Sequence, residues 1–176
     1  MLQIAAGDRE AYRRALERHL GRIIAMAARI LGERSGADDV AQETFLRLWT
    51  HAARWQPHAR LGTWLYQVAL NLCRDRLGRA REVALDDVAE LTDPQPSPSD
   101  AVQTQDVGRR VNAELARLPA PQRIALTLCH YQGLRNTEAA EVMDVSVEAL
   151  ESLLARGRRT MRDRLRAVLP ELLGEE

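Results

Sequence analysis

Leu16, Leu20, Ile23, Ile24, Ala27, Ile30 and Leu31 recur at the spacing that lines one face of an α-helix. The same period returns at Val40, Phe45, Leu46 and Trp49, and again at Trp64, Leu65, Val68, Leu72 and Leu77. Runs of Val, Ile and Thr are nearly absent, as are Asn-Gly hairpin signals, while the helix formers Ala, Leu, Arg and Glu dominate. The chain is therefore expected to be all-α. Apolar residues fill 45% of its 176 positions, enough to bury a core, although aromatics are only 4%.

The helical pattern falls into two blocks. The first runs from about Asp8 to Arg81 and holds three helices. Gly32 and Gly36 punctuate the turn after the first, and Asp38 and Asp39 suit the first turn of the second, where the helix dipole favours acids. Residues Trp55 to Arg60, with Pro57, read as a loop, and the third helix starts near Leu61. From Val83 to Asp106 the composition changes: Asp86, Asp87, Glu90, Asp93, Asp100 and Asp106 appear without a single basic residue, and Pro94, Pro96 and Pro98 alternate with polar residues. This is the composition of a flexible acidic linker, so two small helical domains on a tether are expected, over 1–82 and 107–176 with 83–106 between. The linker is either a solvated spacer or an acidic strand that mimics nucleic acid in a basic channel.

Charge and cysteine content narrow the function. The 25 basic and 25 acidic residues cancel, which argues against a simple nucleic-acid sponge. Every fixed positive charge is an arginine, which suits forked contacts to phosphate or guanine but also follows from a GC-rich coding bias. Cys73 and Cys129 are far apart and form no metal-ligand spacing, which fits a reducing cytoplasm. Met1 leads directly to Asp8, Arg9 and Glu10, so no signal peptide is expected. No apolar run approaches the ~18 residues that a membrane span needs.

The second block carries the clearest local motif. One helix covers roughly Val107 to Arg117, and another runs from Pro121, which suits a first helical turn, to about Tyr131, before Gly133. Thr137 to Met143 reads as a short helix capped by Thr137 and packed through Ala139, Ala140 and Val142. Asp144 and Val145 make a tight turn, and Ser146 caps a long helix reaching about Val168. Small residues on the first helix allow the second to cross it closely, as in a DNA-binding helix-turn-helix; a plain helical hairpin has the same outline. Arg156, Arg158, Arg159, Arg162, Arg164 and Arg166 then give the long helix a one-sided positive charge that fits phosphate neutralisation, or a solvated face.

Three segments in order resemble one family. The run Ala37-Asp38-Asp39-Val40-Ala41-Gln42-Glu43-Thr44-Phe45-Leu46-Arg47-Leu48-Trp49 resembles the polymerase-binding helix of the extracytoplasmic-function (ECF) subfamily of sigma-70-type RNA polymerase sigma factors. Leu61-Gly62-Thr63-Trp64-Leu65-Tyr66-Gln67-Val68-Ala69-Leu70-Asn71, continuing to Asp75, resembles their promoter-melting and −10-reading segment. Leu118-Pro119 with Gln122-Arg123, then Gly133-Leu134 and Glu138-Ala139-Ala140, resembles their −35-reading domain. The resemblance implies two helical domains, sigma-2-like and sigma-4-like, in a protein that binds core RNA polymerase and directs it to promoters. It implies promoter DNA and an anti-sigma factor as partners, with polymerase contacts at the β′ clamp helices and β flap. It implies no cofactor, no metal and no enzymatic activity.

The resemblance also assigns residues. Asp39, Gln42, Glu43, Phe45 and Leu46 would dock on the β′ clamp helices, with carboxylates ringing an apolar patch that suits a basic partner. Trp55, Gln56, His58 and Arg60 lie where the family captures a flipped base of the −10 element, which requires stacking and hydrogen bonds to offset unstacking. Asn71, Arg74 and Arg76 would follow the same strand, with Arg79 and Arg81 along the backbone, whereas Trp64 is expected in the core. Glu151, Ser152, Ala155 and Arg156 fall at base-reading positions for −35, supported by Ser146, Arg158 and Arg159. Here the sequence departs from the family, which usually has glycine near Glu148, a basic residue at Glu151 and often a basic or polar one at Leu153. Glu151 cannot donate to guanine; it can accept from cytosine N4, repel phosphate, or serve a protein partner.

Other readings remain. A stand-alone helix-turn-helix regulator explains the second block but not the first motif. An adaptor that binds only proteins leaves the arginine-rich helix without a role. An enzyme is disfavoured: His19, His51, His58 and His130 are scattered, no HExxH, Gly-rich phosphate loop or GxSxG occurs, and no histidine joins Asp38, Asp39 and Glu43 at helical spacing.

Overall fold

The computed structural model describes residues 2–54, 60–86 and 104–173, and every regular element among them is helical. A single turn, α1 (Leu2–Ala5), leads into α2 (Arg9–Leu31). Asp8 fixes that start: its carboxylate accepts from the backbone N–H groups of Glu10 and Ala11, both at 2.9 Å, a cap worth about 1 kcal/mol. Gly32 ends the helix at φ 83°, donating its N–H to the carbonyl of Ala28. Next come α3 (Ser35–His51), a 3-10 turn at Ala52–Arg54, and α4 (Leu61–Asp86). Gly36 lies inside α3 rather than in the turn before it, and it is buried: a Cβ there would sit 2.9 Å from Glu33 Oε1.

The periodic residues bury as the spacing demands. Ile23, Met26, Ala27 and Ile30 of α2 meet Val40, Ala41, Phe45 and Leu48 of α3 and Leu65, Ala69, Leu70 and Cys73 of α4. Trp64 packs against this core half-buried, as expected of a core-side residue. Thr44 lies among them without an unpaired hydroxyl, because it donates to the carbonyl of Val40 at 2.7 Å.

The second half comprises α5 (Thr104–Ala116), α6 (Ala120–Leu126), a π turn at Thr127–Tyr131, α7 (Asn136–Met143) and α8 (Val147–Leu173). Helix thus reaches into both ends of the 83–106 stretch, through Asp86 and from Thr104. Residues 87–103, the remainder of that stretch, lie outside those described. The helix bearing Pro121 does not keep one pitch to Tyr131; it widens at Thr127, then turns at Gly133, φ 70°. At Gly157 α8 passes so close to α6 that a Cβ would lie 2.9 Å from Leu126 Cδ1.

The helix-turn-helix forms with one change of cap. α7 starts a residue before Thr137, and Glu138 caps it instead, accepting from the backbone N–H of Arg135 at 3.1 Å. Asp144, at φ 57°, makes the left-handed turn, and Ser146 Oγ accepts from the N–H of Ala149 at 3.1 Å to start α8.

The two helical halves that the sequence places on a tether also pack together, sharing one buried cluster. α4 lies against α7, and α2 against α5, α6 and the π turn. Several polar groups at the seam find partners, while Arg29 Nε and Arg123 Nε are buried without one. Tyr66 donates to Gln132 Oε1 at 3.1 Å, and Arg22 donates to the carbonyl of the same Gln132. The Arg29 guanidinium stacks 4.3 Å from the centroid of the Tyr131 ring. Arg123 is also buried and donates to the carbonyl of Ala116.

Candidate functional site

Asp39, Gln42, Glu43 and Leu46 follow one another at helical spacing on one face of α3. Leu46 is 54% exposed, a large apolar side chain left in solvent. Asp39 accepts from Arg76 Nη2 at 3.3 Å, and Glu43 accepts from Arg47 Nε at 2.7 Å. Phe45 does not belong on this face: only 2% exposed, it points into the core one residue round the helix from Leu46. Trp49 takes its place. It is 41% exposed and stands edge-on to the Tyr12 ring, centroids 5.2 Å apart. Tyr12 in turn donates to the carbonyl of Phe45 at 3.1 Å, which fixes the stack to the helix. The sequence put Trp49 in an apolar stripe; its position three residues after Leu46 was the signal that it shares the outer face.

The residues assigned to −10 DNA are divided. Trp55, Gln56 and His58 lie outside the described residues. Asn71 and Arg74 are exposed on α4, and Arg76 is half-buried in its pair with Asp39. Arg74 Nη2 donates across the seam to the carbonyl of Met143 at 3.0 Å, and beside it Gln67 donates to the carbonyl of Glu141 at 3.2 Å. Arg60 approaches Glu138 of α7 at 3.7 Å. In this packing two of the arginines assigned to DNA are therefore engaged by α7.

The outer face of α8 is open. Glu151, Ser152, Ala155, Arg156 and Arg159 are all exposed. Glu151 Oε1 accepts from Asn136 Nδ2 of α7 at 3.2 Å, and Arg156 Nε donates back to the carbonyl of Ser152 at 3.3 Å. Ser146 acts as the cap beneath them. Arg158 differs from its neighbours: its Nε donates to His130 Nε2 at 3.0 Å, turning the guanidinium toward the π turn. Burial, helped by the Arg158 charge, pushes the His130 pKa down, so the imidazole stays a neutral acceptor for that bond. Arg164 likewise pairs with Glu114 of α5 at 3.7 Å. Of the arginine run, these two brace the fold of this half. Among the described residues no helix is long and apolar enough to cross a membrane.

Residues 15–83 match the family Sigma-70 region 2, and residues 109–161 match Sigma-70, region 4. This chain belongs to the ECF branch of the sigma-70 family. It is 32% identical to the ECF RNA polymerase sigma factor SigE of Mycolicibacterium smegmatis over 92% of this chain and 65% of that one. It is 33% identical to the RNA polymerase sigma factor NccH of Alcaligenes xylosoxydans xylosoxydans, over 88% of this chain and 86% of that one. Among solved structures, CnrH in complex with the cytosolic domain of CnrY superposes with a TM-score of 0.69, at 29% identity, covering 94% of each chain. The sigma-70 relatives vary in length: this chain spans 42% of the probable RNA polymerase sigma factor RfaY of Xanthomonas campestris pv. campestris, at 31% identity over 92% of this chain.

Proposed function

We infer that this chain is an alternative sigma factor, which binds core RNA polymerase and directs transcription initiation from particular promoters without catalysing a reaction of its own. The observation that carries this reading is the exposed Leu46–Trp49 patch, bordered by Asp39, Gln42 and Glu43, inside the region-2 match. A stand-alone DNA-binding regulator has no use for it, whereas an apolar centre with an acidic rim suits docking on a basic helical surface such as the β′ clamp helices. The sigma-2-like unit, 1–82, then reads −10 DNA with Asn71, Arg74, Arg76 and Arg60, together with Trp55, Gln56 and His58. The sigma-4-like unit, 107–176, sets α8 in the major groove at −35 through Glu151, Ser152, Ala155, Arg156 and Arg159, and meets the β flap.

Since Arg74 and Arg60 are engaged by α7 in the packed arrangement, the halves separate before both contact a promoter, with 83–106 as the linker. The protein works in the cytoplasm, where its polymerase is. CnrH has been solved bound to the cytosolic domain of CnrY, which supports a protein partner here, and an anti-sigma factor is the partner proposed. Run-off transcription from the promoters of its own operon tests the reading: purified core polymerase should give discrete transcripts only when this protein is added. No added transcript from a well-folded preparation overturns it.

A further inference from the structure

Glu151 is exposed on the α8 face, but it does not stand alone. Its Oε1 accepts from Asn136 Nδ2 at 3.2 Å, and the amide oxygen of Asn136 lies 3.9 Å from the Sγ of Cys129, a donor. The amide nitrogen of Asn136 is thereby turned toward α8, and the carboxylate is held at one oxygen while the rest of its acceptor capacity stays open to the outside. Such a group accepts hydrogen bonds and offers none.

In the major groove the donors on base edges are cytosine N4 and adenine N6, while guanine O6 and N7 and thymine O4 are acceptors that a carboxylate repels. Adenine sets its N7 acceptor beside N6, so a carboxylate is best matched by cytosine. Arg156, five residues on along the same helix, has the opposite character, donors only. We propose that Glu151 and Asn136 form one base-reading unit, built from both helices of the helix-turn-helix, that selects cytosine at one position of the −35 element and rejects guanine there. Glu151 makes the base contact and Asn136 is a positioning residue. This rests on the inference that α8 enters promoter DNA.

The test uses the full chain assembled with core polymerase, selecting from promoter duplexes randomised across the −35 region. One position should favour cytosine over guanine by about 5- to 150-fold, the range expected for one good base contact. Glu151→Gln should move that preference to adenine, since a carboxamide can accept from N6 and donate to N7. Asn136→Ala should flatten the preference at the same position and leave the other positions unchanged, whereas a purely structural role would weaken all sequences alike. A selected sequence unaffected by Glu151→Gln overturns the proposal and leaves the sigma-factor reading standing. Binding with no −35 selection at all overturns both the proposal and the entry of α8 into promoter DNA on which it rests.

Discussion

The hydroxyl of Tyr66 donates to the side-chain oxygen of Gln132 at 3.1 Å, a buried bond that ties α4 to the residue following the π turn. Gln132 is 4% exposed, so its amide has no water to fall back on. Tyr66→Phe strands that acceptor and should cost about 1–3 kcal/mol, read as a lower urea midpoint. A midpoint equal to the parent would mean that the seam does not hold in solution.

Cys73 reports on the same seam. Burial pushes its thiol up to about 12, with Arg76 and Arg123 opposing. In a Cys129→Ser background, a maleimide at neutral pH should leave Cys73 unmodified over a time that labels a free thiol completely. Gln132→Ala should speed that labelling by letting the halves part. Rapid labelling of the parent would show that α4 is open already.

His130 sets a pH dependence. Burial first, then the Arg158 charge, lowers its pKa below 6.5, and His19 is lowered in the same way by burial and by Arg18 and Arg22. A histidine whose folded pKa lies below its unfolded one gives stability that is intact above about pH 6.5 and is lost as pH falls through the folded value. Urea midpoints should therefore decline on acidification below about pH 6.5, and His130→Gln should make that decline shallower. An unchanged slope in the variant would remove His130 from the account.

Gly157 tests the close crossing of α6 and α8. A Cβ there would lie 2.9 Å from Leu126 Cδ1 and 3.3 Å from Leu126 Cγ. Gly157→Ala should destabilise by about 1–3 kcal/mol despite the better helix propensity of alanine, because the core must shift. Thermal melting of the variant decides it, and a raised melting temperature would show that Leu126 yields freely.

Much of this was legible in the sequence. The 3.6-residue period gave the helices of both blocks, and Asp144 with Ser146 gave the helix-turn-helix, since a left-handed turn and an N-cap are chemical properties of single residues. The side of a boundary residue was harder to read. Phe45 and Leu46 are adjacent and equally apolar, yet one is buried and the other in solvent; the rotation that separates them is set by α2 and α4, which no local window contains. The same holds for Arg158, whose partner His130 lies 28 residues away, and for Asn136, whose role depends on a second helix. The seam was invisible because Gln132 has no distinguishing sequence context and matters only through Tyr66 and Arg22.

The sigma-factor reading stands most directly on polymerase binding through α3. Core RNA polymerase mixed with this protein, with Glu43→Arg and with Trp49→Ala should be resolved on a sizing column. The sigma-factor reading requires stoichiometric co-elution of the parent, and its loss in both variants while their helical circular dichroism is unchanged. Failure of the well-folded parent to co-elute, or parent-like binding by both variants, would contradict it.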